Sequence, residues 1–170
     1  NQKLSNNLKL NILKEQSGNQ RLPLIPSFKH FRINSKEVKK NDVFFAIRGK
    51  NKDGNKFVNQ AFKNGASIAV LNKIQQKFET NRQIKVNNTL KFLTDLSKIF
   101  RKNINTNIIA ITGSCGKTTL KELLGDSLKR ISKVSVSPKS YNNKYGVPLS
   151  LLNLKSDDNF GILEVGMDKK

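Results

Sequence analysis

Gly113-Ser114-Cys115-Gly116-Lys117-Thr118-Thr119 is the segment whose residue types and spacing point to the most specific chemistry. Glycines let successive backbone N–H groups turn toward one anion without a Cβ in the way. An apolar stretch, Ile108-Ile109-Ala110-Ile111-Thr112, leads in, and a helical pattern follows from Lys117. A strand, a glycine loop and a helix N-terminus in that order make a phosphate cradle, because the first turn of a helix offers unpaired donors and partial positive charge. Lys117 supplies a full charge for β- and γ-phosphates and is the candidate catalytic residue, and the Thr118 hydroxyl suits Mg²⁺. The candidate nucleotide-phosphate-binding set is Gly113, Ser114, Cys115, Gly116, Lys117, Thr118 and Thr119. The common loop reads G-x-x-x-x-G-K-[ST]; here Gly113 precedes Gly116 by three, and Ile111 stands where the longer loop has its first glycine.

Other residues carry weaker signals. Glu164 ends the apolar run Phe160-Gly161-Ile162-Leu163-Glu164-Val165. A carboxylate at the carboxyl end of a parallel strand beside a phosphate loop is a Mg²⁺ ligand, whereas on a free strand end it is only solvated. Asn142 and Asn143 read either as turn formers or as cleft residues. Cys115 lies at a free position of the loop with no histidine partner in the pattern, so it is not read as a catalytic thiol. His30 reads as structural, and Asp157-Asp158 as a solvated loop.

These residues need elements to hold them. Residues 3–16 carry a weak helical stripe of Leu4, Leu8, Ile12 and Leu13, followed by a loop broken at Gly18, Pro23 and Pro26. The run 42–47 predicts a buried strand, 50–55 a turn-rich loop, and Phe57, Val58, Ala61 and Phe62 a helix stopped by Gly65, before a second strand at 66–71. Residues 89–102 predict a helix with Leu90, Leu93, Leu96 and Phe100 on one face, capped by Asn88 or Thr89. A polar linker at 103–107 leads to a buried strand at 108–112. A helix at 117–131 places Leu120, Leu123, Leu124, Leu128 and Ile131 on one face, and strands follow at 133–137 and 160–165.

Composition sets the outer limits. The chain has 170 residues with a net charge of +20, 36% hydrophobic residues, one cysteine and one histidine. A disulfide framework and a zinc site built mainly on Cys and His are excluded. No apolar run approaches the ~20 residues of a membrane span. Lysine supplies 26 of the 32 basic residues, spread along the whole chain. That is a solvated lysine-rich surface, unlike the clustered arginines and stacking aromatics of a nucleic-acid interface.

The short loop, with four further stretches, resembles the Mur ligase family. Thr112-Gly113-Ser114-Cys115-Gly116-Lys117-Thr118-Thr119 is similar to its ATP loop, and Leu120-Lys121-Glu122 to the start of the helix after it. Asn142-Asn143-Lys144-Tyr145-Gly146-Val147-Pro148 is similar to an N-N-x-x-G-V-P segment of the branch that adds D-alanyl-D-alanine. Ile162-Leu163-Glu164-Val165-Gly166-Met167 is similar to a strand ending in a metal-binding glutamate. Upstream, 41–49 with Asp53-Gly54 and Gly65-Ala66 resembles the domain that holds the UDP-sugar end of the substrate, with Asn34-Ser35-Lys36 in place of the family's Asp-Ser-Arg.

The resemblance covers about 30–170 and implies an α/β chain. A small N-terminal UDP-substrate-binding α/β domain with its connecting helix (1–103) is followed by the truncated start of a P-loop parallel-sheet ATPase-type domain (104–170). It implies an ATP-dependent amide ligase of peptidoglycan precursor synthesis in the cytoplasm, with ATP and Mg²⁺ as cofactors. The substrates would be UDP-N-acetylmuramoyl-tripeptide and D-Ala-D-Ala, and the complete protein a monomer. It places Thr118 and Glu164 on the metal, and Asn142, Asn143 and Ser35 in the substrate cleft. The alternatives are another Mur or folylpolyglutamate-type ligase, or a basic P-loop ATPase dependent on nucleic acid. Because the chain starts at Asn1 and stops at Lys170, it is expected to be an inactive piece of a longer protein with exposed apolar surface on its second part.

Overall fold

The computed structural model describes residues 2–18, 28–49, 52–139 and 141–166. The predicted breakers Pro23 and Pro26, the Lys50-Asn51 part of the turn-rich loop, and Met167 lie outside the described residues. By contacts the chain divides into two compact units, Asn6–Leu96 and a second made of Asn1–Ser5 with Ser97–Lys170.

In the Asn6–Leu96 unit, β1 (Phe31–Arg32), β2 (Val43–Phe45), β3 (Ile68–Leu71) and β4 (Gln83–Lys85) form one parallel sheet in the order 1-2-3-4. All of β2 and β3 is buried, as a parallel sheet covered on both faces requires. Successive residues point to opposite faces, and Phe44 and Phe45 show both. Phe44 packs in a cluster with Val58 and Ala61 of α2 (Val58–Lys63). Phe45 stacks near Phe31 (5.8 Å between ring centroids) and Phe92 (6.3 Å) of α3 (Thr89–Lys102). Of the α3 stripe, Leu93, Leu96 and Phe100 are buried and Leu90 is half-buried, and Asn88 Oδ1 caps the helix by accepting from Lys91 N at 2.9 Å. The 3–16 stripe falls on α1 (Gln2–Gln16), where Ile12 and Leu13 are buried and Leu8 half-buried, while the side chain of Leu4 lies outside the described residues.

The buried Asp42 ties the starts of β1 and β2 together. Its carboxylate accepts from His30 N (3.1 Å), Lys39 N (3.0 Å) and Arg32 Nε (3.3 Å). Burial pulls its pKa upward, but the His30, Lys39 and Arg32 bonds prevail and hold it below the usual aspartate value.

In the second unit, β5 (Asn107–Ile111), β7 (Phe160–Glu164) and β6 (Val134–Val136) form a parallel sheet in the order 5-7-6. Ile111 is in register with Glu164, and Val136 with Ile162. The strands predicted at 108–112 and 160–165 therefore share one sheet, with the glycine loop and Glu164 both at its carboxyl end. Helix α4 (Lys117–Lys129) follows the loop, and α5 (Gly146–Leu152) packs on β7.

Two expectations need correction. The strand predicted as buried at 108–112 is an edge strand: β5 pairs only with β7 among the described strands, and Asn107 and Ala110 are exposed. Only part of the leucine stripe of α4 turns toward the sheet, with Leu124 and Leu128 half-buried. Leu120 is 54% exposed, Leu123 63% and Ile131 81%, while Lys121 and Gly125 are buried. The phosphate loop sets the phase of this helix. Gly125 lets it approach β6 closely, since a Cβ there would lie 2.7 Å from Val136 Cγ2. Strands β1 and β4, two and three residues long, have no counterpart in the sequence reading because a period of 2 cannot show over so few residues.

Candidate phosphate and metal site

The loop itself has the backbone that its composition predicts. Gly113 (φ 144°) and Gly116 (φ 75°) lie in the left-handed region, where a Cβ is strained. Neither is crowded, so conformation rather than space demands glycine there. Gly116 is the N-cap of α4 and offers no side-chain cap, which leaves the amides of the first turn open to a ligand. Lys117 Nζ donates to Gly113 O at 2.5 Å and so lies over its own loop. Ser114, Cys115 and Thr119 are exposed, and Cys115 is a free thiol.

From the first turn of α4, Thr118 Oγ1 donates to Glu164 Oε2 at 2.9 Å. The other carboxylate oxygen, Oε1, accepts from Asn142 Nδ2 at 2.9 Å. The Glu164 backbone N–H donates to Ser137 Oγ at 3.1 Å. Glu164 is only 3% exposed, at the end of β7. The Asn142 hydrogen bond lowers its pKa; burial opposes this, and the Thr118 bond with the charges of Lys121 and Lys117 adds to the lowering. The net result is a carboxyl group below the ordinary glutamate value.

Thus the structure brings the adjacent pair Lys117 and Thr118 together with Asn142 and Glu164, each from a distant part of the sequence. Asn143 is used differently: its Oδ1 accepts from Tyr145 N and Gly146 N, both at 3.0 Å, fixing the turn into α5. Gly146 is required in that turn, because a Cβ would run into the backbone of Tyr141. Asn142 is pinned from the opposite side, its carbonyl accepting from Gly166 N at 2.5 Å.

Lys121 enters the resemblance only within the helix start Leu120-Lys121-Glu122, and neither it nor Ser137 is a candidate site residue on the sequence. Lys121 Nζ donates to Ser137 O at 2.8 Å and lies 3.7 Å from Glu164 Oε2. A lysine followed by a glutamate in a helix reads as solvent-facing. The available signal was its spacing, three residues after Thr118 and therefore on the same helix face.

The donor set fits a magnesium ion. A hydroxyl and a carboxylate 2.9 Å apart are hard oxygen donors. Mg²⁺ is commonly held by one or two protein oxygens while keeping waters and taking phosphate oxygens. Among the described residues, no group of three or more His, Cys, Asp or Glu side chains gathers into an all-protein cage.

Ser35 lies in the other unit and has its own setting. It lines a cleft of about 500 Å³ with Asn34, Lys36, Ile47, Phe57 and Gln60 among its walls. Ser35 Oγ donates to Gln60 Oε1 at 2.7 Å, and Asn34 Oδ1 accepts from Lys36 N at 3.1 Å. The cleft mixes amide, hydroxyl and ammonium groups with the Phe57 ring, as a ligand with polar and flat apolar parts needs. Among the described residues, no helix is long and apolar enough to cross a membrane.

Two family profiles match the chain: "Mur ligase family, catalytic domain" over 27–101 and "Mur ligase middle domain" over 111–170. A UDP-N-acetylmuramoyl-tripeptide–D-alanyl-D-alanine ligase of Rickettsia prowazekii is 35% identical over 137 residues, which is 81% of this chain and 30% of that protein. The ligase of the same name from Buchnera aphidicola (subsp. Baizongia pistaciae) is 40% identical over 124 residues, or 73% of this chain and 27% of that protein. Among solved structures, MurF from Thermotoga maritima in complex with ADP aligns with a TM-score of 0.66 at 34% identity, covering 83% of this chain and 33% of that one. MurF from Acinetobacter baumannii aligns with a TM-score of 0.78 at 28% identity, covering 94% of this chain and 35% of that one. The chain therefore spans about a third of the length of the relatives it matches.

Proposed function

The chain belongs to the Mur ligase family, and from that premise we propose that it carries the phosphate-binding half of an ATP-dependent ligase. The reaction joins D-Ala-D-Ala to UDP-N-acetylmuramoyl-tripeptide in cytoplasmic peptidoglycan precursor synthesis. The observation that carries the reading is the four-way convergence of Lys117, Thr118, Asn142 and Glu164 at the carboxyl end of one parallel sheet.

In this reaction class the γ-phosphoryl group of ATP passes to a substrate carboxylate, and an amine then displaces phosphate to form the amide. The chain's own residues supply electrostatics and position. The loop amides from Gly113 to Thr119 and the helix N-terminus hold the phosphates. Lys117 moves its ammonium from the loop carbonyl to a phosphate oxygen and offsets the charge that grows there in the transition state. Thr118 and Glu164 would hold Mg²⁺, and Asn142 keeps the Glu164 carboxylate oriented. When bound, the ion offsets charge on the transferring phosphoryl group. In the other unit, the cleft at Ser35 receives the UDP-sugar end of the substrate; Lys36 offers a point charge there and lacks the bidentate fork of an arginine.

The test is Lys117→Ala in the full-length ligase, with phosphate release measured in the presence of both substrates. Turnover should fall about 10²-fold or more, as for the loss of one preorganised electrostatic contact. Lys63→Ala, on the exposed side of α2, should leave turnover unchanged. Near-normal turnover of the Lys117 variant would remove the loop from the nucleotide site and the ligase reading with it.

A further inference from the structure

Lys121 is a cation with no part in the reaction as described, yet its side chain is 0% exposed. A buried ammonium loses its hydration, and well-packed apolar residues of similar volume often fill such positions at no cost in stability. Leucines occupy four other positions of this same helix. The ammonium is satisfied by Ser137 O at 2.8 Å and lies 3.7 Å from Glu164 Oε2. Glu122 Oε1 stands 3.6 Å away, but that side chain is nearly half exposed and screened by water. Lys117 is the second cation of this end of α4.

We propose that Lys121 is a positioning residue that neutralises Glu164 and makes the divalent cation dependent on the nucleotide. This rests on the reading that Thr118 and Glu164 hold that cation. Glu164 Oε2 already serves the Thr118 hydroxyl and the Lys121 charge. A dication arriving alone meets one buried carboxylate, already paired, with two lysine ammoniums at the same end of the helix. Its attraction to the site is cancelled. A nucleotide brings several negative charges onto the loop and reverses that balance, so metal and nucleotide are held as a unit. Lys121 thereby keeps the site from filling with free cations and keeps Glu164 aimed while it waits.

The experiment uses the 170-residue chain and Mn²⁺ as the probe, with free Mn²⁺ read by electron paramagnetic resonance, with and without ADP. In the unaltered chain ADP should tighten Mn²⁺ binding at least about tenfold. Lys121→Met, which removes the charge and keeps the length, should bind Mn²⁺ without ADP about tenfold or more tightly than the unaltered chain, since one unit charge at close range in a partly buried site is worth that much. Adding Glu164→Gln should abolish the gain, and Lys121→Arg should behave like the unaltered chain. Folding is followed by near-ultraviolet circular dichroism, with Lys121→Gln as a second neutral variant.

If a folded neutral variant gains no affinity for Mn²⁺ alone, the proposal is wrong even where ADP tightens Mn²⁺ in the unaltered chain. If ADP fails to tighten Mn²⁺ there, the metal-site reading itself falls. If neither neutral variant folds, Lys121 serves the fold rather than the metal, and the proposal is likewise overturned.

Discussion

At the scale of single residues, the site depends on a buried carboxylate kept ionised by its neighbours. Hydrogen bonds from Asn142 and Thr118, with the charges of Lys121 and Lys117, hold the Glu164 pKa below the 4.5 of an unperturbed glutamate. A folded pKa below the unfolded one means that the unfolded chain binds the proton more tightly. The contribution of Glu164 to stability is then complete above pH 4.5, shrinks as the pH falls through that value, and is gone below the folded pKa. Thermal melts from neutral to acid pH should therefore show the unaltered chain losing its advantage over Glu164→Gln as the pH falls below 4.5. A constant gap between the two melting curves across that range would contradict the hydrogen-bonded, ionised state described here.

At the scale of elements, the informative case is α4. Its leucines suggest a core face by spacing, yet the helix turns Thr118, Lys121 and Gly125 toward the sheet. The loop geometry explains the choice. Gly116 starts the helix in a left-handed conformation, and Thr118 must face Glu164 across 2.9 Å. With 3.6 residues per turn, the positions facing β6 and β7 are then determined. The tight contact falls on Gly125, where only a hydrogen fits beside Val136. Gly125→Leu should consequently destabilise the chain by about 1–3 kcal/mol, the usual cost of overpacking. Leu123→Gln, on the exposed face, should stay within about 0.5 kcal/mol of the unaltered chain. Urea denaturation midpoints of the two variants decide this, and the reverse ranking would mean that the helix packs in the other phase.

At the scale of the whole molecule, two surface properties oppose each other. Leu120, Leu123 and Ile131 expose apolar area. Such patches favour association. A net charge of +20 keeps copies apart. Salt screens the second effect and spares the first: the Debye length falls from about 30 Å at 0.01 M to about 3 Å at 1 M ionic strength. Sedimentation velocity should show association rising with sodium chloride concentration, and Leu120→Gln with Leu123→Gln should suppress the rise without lowering the melting temperature. Association that weakened with added salt would point instead to charge-mediated contacts.

Features that depend on neighbours along the chain are legible from the residues alone. The phosphate loop is legible because its chemistry is local: two glycines for positive φ, a lysine, and a hydroxyl at the first turn of a helix. The α3 helix is legible to its ends, since cap and apolar stripe lie within fourteen consecutive residues. The strands of β2, β3 and β7 announce themselves as apolar runs. Residue type and resemblance mark Glu164 and Asn142 as candidates, but the hydrogen bond between them spans 22 positions. Folding in three dimensions sets which face of α4 is inside, that β5 pairs with β7 alone among the described strands, that Asn143 is spent on a turn while Asn142 faces the carboxylate, and that a lysine is the buried charge beside it. Each of those outcomes is set by pairing and packing between segments distant in the chain, whose free energy no local pattern of residues records.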